Sequence, residues 1–131
     1  MVNSSEMKNV LVVDDSATIR RMVMSSLRLI ERIEFQEAAN GLEAIERLAI
    51  GPVDLIVLDL NMPDMHGLEV VAFVRKNATF RGIPIIVLTT RGDDESRAAA
   101  LAAGATLYMS KPFDPAALAQ NASRLLFGNG N

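Results

Sequence analysis

Several short apolar runs in this chain stop abruptly at residues that can do chemistry. The run at 10–13 ends in Asp14-Asp15, the run at 53–58 in Asp59, the run at 83–88 in Thr89-Thr90, and the run at 105–109 in Ser110-Lys111-Pro112. Each ending has a plain structural reading. An Asp-Asp pair caps helices and makes turns, threonine suits strand ends by propensity, and a lysine before proline is an ordinary solvated residue. Together they are harder to explain, because three carboxylates, a hydroxyl and an ammonium would meet at one edge. Two carboxylates about 4 Å apart repel by roughly 4 kcal/mol at an effective dielectric of 20. Such a cluster either takes up a proton or admits a divalent cation. Oxygen donors without a neighbouring Cys or His favour Mg²⁺ or Mn²⁺, and Mg²⁺ prefers one or two carboxylates completed by water or a phosphate oxygen.

The elements that must position these residues follow from the apolar pattern. The run at 10–13 is followed by Ile19, Met22, Val23, Ser26, Leu27 and Ile30 at helical spacing, with Ser16 as the expected N-cap. A weaker strand lies at 33–37, then a helix at 42–50 closed by Gly51-Pro52. Strand 53–58 leads to a helix at 68–76. Strand 83–88 leads to an acidic helix start, Asp93-Asp94-Glu95, and the alanine-rich stretch 98–103, closed by Gly104. After strand 105–109, Asp114-Pro115 opens a helix through Leu126, as an N-cap followed by proline at the first helical position. The pattern is five βα units. Near-continuous apolar strands alternating with helices specify a parallel sheet covered on both faces, and at this size a doubly wound α/β fold. In such folds ligands bind beyond the carboxyl ends of the strands, where the strand order reverses.

Composition narrows the function classes. The 131 residues suit one domain, with 1–8 a polar lead-in, 9–127 the folded unit and 128–131 a tail. A net charge of −3 argues against binding nucleic acid through its phosphates. The absence of cysteine excludes disulfides and thiolate metal sites, and the single histidine, His66, cannot build a His-rich one. No apolar run is long enough for a membrane span and no secretory h-region is present, so a cytoplasmic protein is expected.

The motifs Asp14-Asp15-Ser16 after a Val-Val pair, Leu58-Asp59-Leu60-Asn61-Met62-Pro63 with Gly67, Leu88-Thr89-Thr90, and Lys111-Pro112-Phe113 resemble those of response-regulator receiver domains of two-component signalling, most closely the CheY-like single-domain type. The resemblance covers about residues 8–127. It implies a flavodoxin-like sheet in the order 2-1-3-4-5 with five helices, and a phospho-accepting regulator rather than an enzyme. It assigns Asp59 as phosphoacceptor from a sensor histidine kinase or phosphotransfer protein. It gives Asp14, Asp15, Asp59 and the backbone carbonyl of Asn61 to Mg²⁺ (Mn²⁺ being possible), Lys111 and Thr89 to the phosphoryl group, and Tyr108 to a switch coupled to Thr89. It also implies a cis Lys111-Pro112 peptide and a downstream protein docking on the face of helix 4, strand 5 and helix 5, lined by 98–103, Ala119 and Ala122. Asn61 and Arg91, two residues beyond Asp59 and Thr89, are expected where side chains reach attacking water, a solvated surface role being the equal alternative for Arg91. His66 is expected to be exposed rather than functional.

Other classes fit less well. A phosphatase or phosphotransferase of the haloacid-dehalogenase type wants a second aspartate two positions after the nucleophile, where this chain has Asn61. A flavodoxin or P-loop binder wants a glycine-rich phosphate loop, where this chain has Asp14-Asp15-Ser16. A receiver serving as an unphosphorylated interaction platform remains the third alternative.

Overall fold

The computed structural model describes residues 7–62, 65–90 and 94–128. Five strands alternate with five helices: β1 (Lys8–Val13), α1 (Ala17–Leu27), β2 (Ile33–Ala38), α2 (Gly41–Ile50), β3 (Leu55–Asp59), α3 (Gly67–Lys76), β4 (Ile85–Thr89), α4 (Asp94–Ala103), β5 (Leu107–Ser110) and α5 (Pro115–Phe127). All strand pairs are parallel, in the order β2-β1-β3-β4-β5.

The apolar strands are continuous because both faces of the sheet are covered. Leu11, Val13, Ile56, Leu58, Ile85 and Val87 point into one core with α2, α3 and α4. Val10, Val12, Leu55, Val57, Ile86 and Leu88 point into the other, with α1 and α5. Period-2 alternation thus sends each strand's side chains to two buried layers. Caps fix where helices begin. Ser16 accepts from the Ile19 N–H at 3.2 Å, Asn40 from Glu43 N–H at 2.9 Å, and Asp114 from Ala116 N–H at 3.1 Å, with Pro115 leading α5.

Boundaries differ from the sequence pattern for identifiable reasons. Strand β4 begins at Ile85 rather than Ile83, because Ile83 N–H closes a turn onto Phe80 and Pro84 has no N–H to contribute. Strand β5 begins at Leu107 rather than Ala105, whose N–H goes back to the Ala100 carbonyl at the end of α4. Helix α1 ends at Leu27. Ile30 continues the apolar period from a turn, its N–H bonded to the Leu27 carbonyl, and still packs on the core. The expectations for Pro63, Arg91, Asp93, residues 1–6 and residues 129–131 lie outside the described residues.

At the amino end of the sheet, opposite the strand ends that carry the carboxylates, Arg75 on α3 ties two crossovers together. Its guanidinium donates to the carbonyls of Gly104 at 2.8 Å, Arg81 at 2.8 Å and Ile83 at 2.7 Å. Burial pulls the Arg75 guanidinium below the ordinary arginine range. Gly104, at φ 117°, needs glycine twice over, since a Cβ there would also stand 2.6 Å from the Arg75 Cγ.

Candidate functional site

The register delivers the site. Val13 pairs with Leu58, so Asp14 and Asp59 are the next residues out on neighbouring strands; Asp59 pairs with Leu88 and Thr89 with Ser110, so Lys111 lies one step further on. This is the point where the chain order reverses, between β1 and β3. One carboxylate oxygen from each of Asp14, Asp15 and Asp59 lies within 4.8 Å of the others. Asp14 and Asp59 are buried and Asp15 is exposed.

Lys111 reaches across the intervening strand ends to both buried carboxylates. Its Nζ lies 2.8 Å from Asp14 Oδ2 and 3.4 Å from Asp59 Oδ1. Lys111 thus pairs with both, and the shorter contact belongs to Asp14. Burial holds the Asp59 carboxyl above the ordinary aspartate value; the Lys111 ammonium pulls it back, Asp14 pushes it up, and the Asn61 backbone N–H lowers it. The cluster therefore keeps three carboxylates against one ammonium, a surplus of negative charge that suits a divalent cation held by oxygen donors.

The loop after β3 is pinned to the Asp59 end of the strand. Gly67 N–H donates to the Leu60 carbonyl at 2.9 Å, and a Cβ at Gly67 would stand 2.6 Å from Leu60 Cα and 2.7 Å from the Asp59 carbonyl oxygen. Only glycine allows that approach. The Asn61 side chain donates to Thr89 Oγ1 at 3.3 Å, which joins the β3 and β4 ends beside Asp59. Both residues line a cleft of about 220 Å³ completed by Leu60, His66, Leu68, Glu95, Ser96 and Ala99. The Lys111-Pro112 peptide is cis.

Tyr108 is half-buried and packs, with Ala103, against the core under α3 and α4. Of the stretch expected to line a docking face, Ala98, Ala99 and Ala102 are exposed, whereas Ala100 is fully buried in the core. Ala122 is fully buried beneath α5 on the opposite side of the sheet, so it belongs to the core and not to that surface. His66 is exposed as expected, yet it caps α3. Its Nδ1 accepts from Leu68 N–H at 3.1 Å while Glu69 returns to the His66 N–H at 3.0 Å. The spacing His66-x-x-Glu69 was the available signal for that cap.

The sequence profile of the response regulator receiver domain matches residues 10–123. The chain belongs to that family. Within it the similarity is to CheY-type chemotaxis regulators. Chemotaxis protein CheY1 of Helicobacter pylori is 40% identical over 120 residues, covering 91% of this chain and 97% of that protein. The structure of CheY4 of Vibrio cholerae superposes with a TM-score of 0.83 at 39% identity, over 92% of this chain and 99% of that one. The Mn²⁺-bound form of the response regulator Rcp1 superposes with a TM-score of 0.81 at 27% identity, over 92% and 95% of the two chains. The protein is thus a phosphorylation-operated switch of two-component signalling, a phospho-accepting regulator rather than an enzyme with turnover on an external substrate. No helix among the described residues is long and apolar enough to cross a membrane.

Proposed function

We propose that Asp59 accepts a phosphoryl group from a phosphohistidine of a sensor histidine kinase or phosphotransfer protein. A carboxylate oxygen of Asp59 forms the bond to phosphorus, and the imidazole leaves with the electrons of the broken P–N bond. Asp14, Asp15, Asp59 and the backbone carbonyl of Asn61 would hold Mg²⁺, with Mn²⁺ an acceptable substitute, as the Mn²⁺-bound form of Rcp1 supports. When bound, the cation neutralises charge on the transferring phosphoryl oxygens.

The chain's own residues supply the rest. Lys111, already between Asp14 and Asp59, turns to the phosphoryl oxygens once Asp59 has spent its negative charge in the new bond. Thr89 donates to the same group. A hydrogen bond to such a charged acceptor is worth roughly 1.5–3 kcal/mol, whereas inverting a population from 1:99 to 99:1 takes about 5.5 kcal/mol. Lys111 and Thr89 therefore act together. Movement of Thr89 repacks Tyr108 on the adjoining strand and reshapes the α4–β5–α5 face for a downstream protein. The receiver unit spans 9–127 and works in the cytoplasm.

The observation that carries this reading is the triad of carboxylates within 4.8 Å with Lys111 on two of them. Incubation with acetyl phosphate and Mg²⁺ should place a single phosphoryl group on Asp59, located by mass spectrometry of the intact chain and its peptides. Stoichiometric labelling of Asp59→Asn would defeat it.

A further inference from the structure

We infer that Arg20 is a positioning residue for the divalent-cation site, which it serves by fixing the peptide plane that aims Asp15, with Glu37 cancelling its charge. The inference rests on the metal reading given above and adds a residue to it.

Asp14 is held at every polar group. Its N–H goes to the Ala38 carbonyl at 3.1 Å, its Oδ1 accepts from Ser16 N–H at 2.9 Å and its Oδ2 meets Lys111. The fourth anchor is Arg20, whose Nη1 donates to the Asp14 backbone carbonyl at 2.6 Å. That oxygen belongs to the planar peptide linking Asp14 to Asp15. Fixing it sets the direction in which the Asp15 Cα leaves the strand. Asp15 is the one exposed member of the triad, so this backbone restraint is what the structure offers in place of burial to aim it.

Arg20 is itself placed from two sides. Its N–H closes the first turn of α1 onto the Ser16 carbonyl at 3.0 Å, and its Nε donates to Glu37 Oε1 on β2 at 2.8 Å. The arginine side chain is 16% exposed and the glutamate 47% exposed, so one fork joins helix, loop and outer strand. An ion pair this open contributes little to stability. A lone guanidinium here would oppose cation binding by repulsion. Glu37 removes that penalty and leaves the hydrogen bond to the carbonyl in place.

Positioning and charge predict opposite signs, which makes the inference testable. Mg²⁺ affinity of the full chain would be measured by calorimetric titration, with Mn²⁺ displacement followed by electron paramagnetic resonance as a second readout. Arg20→Met should weaken Mg²⁺ binding about tenfold, the loss usual for a residue that orients a metal ligand, although a positive charge has been removed. The charge-neutral pair Arg20→Met/Glu37→Gln should show the same loss. Arg20→Lys should not restore affinity, since one ammonium cannot span the carbonyl and Glu37. If Arg20→Met does not fold, Glu37→Gln decides. It keeps the guanidinium on the carbonyl uncompensated, so affinity should fall, with the shortfall from wild type narrowing at high salt, and unchanged affinity overturns the inference. Mg²⁺ binding by Arg20→Met equal to or tighter than wild type also overturns it. A wild-type chain that binds no Mg²⁺ removes the metal reading and this inference together; normal wild-type binding with an unaffected Arg20→Met removes this inference alone.

Discussion

Replacing Asp59 by asparagine should stabilise the metal-free protein, because burial and a neighbouring carboxylate both oppose its charge. At an effective dielectric of 20, the buried Asp14 carboxylate at the outer separation of 4.8 Å repels Asp59 by about 3.5 kcal/mol, while the exposed Asp15, screened by water, adds little. The attraction of Asp59 to Lys111 at 3.4 Å returns about 5 kcal/mol on the same scale. The ion pair thus more than offsets the repulsion, so the sign rests on burial, the largest cause of the raised Asp59 pKa, and relieving it should gain about 2 kcal/mol. For a chain of this size that corresponds to a rise in melting temperature of about 8 °C. The pH dependence has a definite sign. Because the folded Asp59 pKa lies above its ordinary 3.8, the folded state holds the proton more tightly than the unfolded one. Ionisation of Asp59 removes stability as pH rises from 3.8 through the raised value, and wild type recovers it on acidification. The gap between variant and wild type should shrink as pH is lowered through that window. Mg²⁺ at a hundredfold excess over its Kd contributes about 2.7 kcal/mol to the wild type, enough to close or reverse the order. Thermal melts in EDTA and in Mg²⁺, at neutral and acid pH, test all three. A variant no more stable than wild type in EDTA at neutral pH would refute the electrostatic account of the site.

Three further outcomes are expected. Gly67→Ala should cost about 3 kcal/mol in urea denaturation and abolish acetyl phosphate labelling, because the clashing atoms are backbone next to Asp59 and cannot swing aside. Arg75→Ala should cost about 2–4 kcal/mol through three lost carbonyl contacts, while labelling of the folded protein proceeds at the wild-type rate. Thr89→Ala should still be phosphorylated, since Asp59 and the other carboxylates are untouched, but phosphorylation-induced chemical-shift changes at Tyr108 and along α4 should largely vanish; their persistence would place the coupling elsewhere.

The sheet is readable because apolar strands buried on both faces stop sharply at polar residues, and the same stops point to Asp14, Asp15, Asp59, Thr89 and Lys111. What escapes is contact between residues remote in sequence. Lys111 chooses Asp14 over Asp59 by about half an ångström of reach across folded strand ends, which no spacing encodes. Arg20 and Glu37 stand 17 residues apart on different elements. One helical turn separates Arg20 from its cap Ser16, which hints that its side chain could turn back to the loop, though not to which atom. Arg75 leaves no signal at all, because its acceptors are backbone carbonyls and a carbonyl looks the same after every residue. Strand starts are misjudged where an apolar residue such as Ile83 or Ala105 serves a turn before the sheet begins.

The fastening of two crossovers by Arg75 has a consequence for how such a molecule can diverge. Its bonds lie at the amino edge, separated by the length of the strands from the like charges at the carboxyl edge. Effects at separated sites add nearly independently. Substitutions around the arginine can therefore raise or lower the durability of the scaffold while leaving the set-point of the signal alone. Lineages meeting heat or cold would have one edge to retune and another to leave untouched. An engineer seeking a hardier receiver should likewise work around residues 75, 81–83 and 104–106, since relief of the carboxylate cluster would gain stability by disabling the switch.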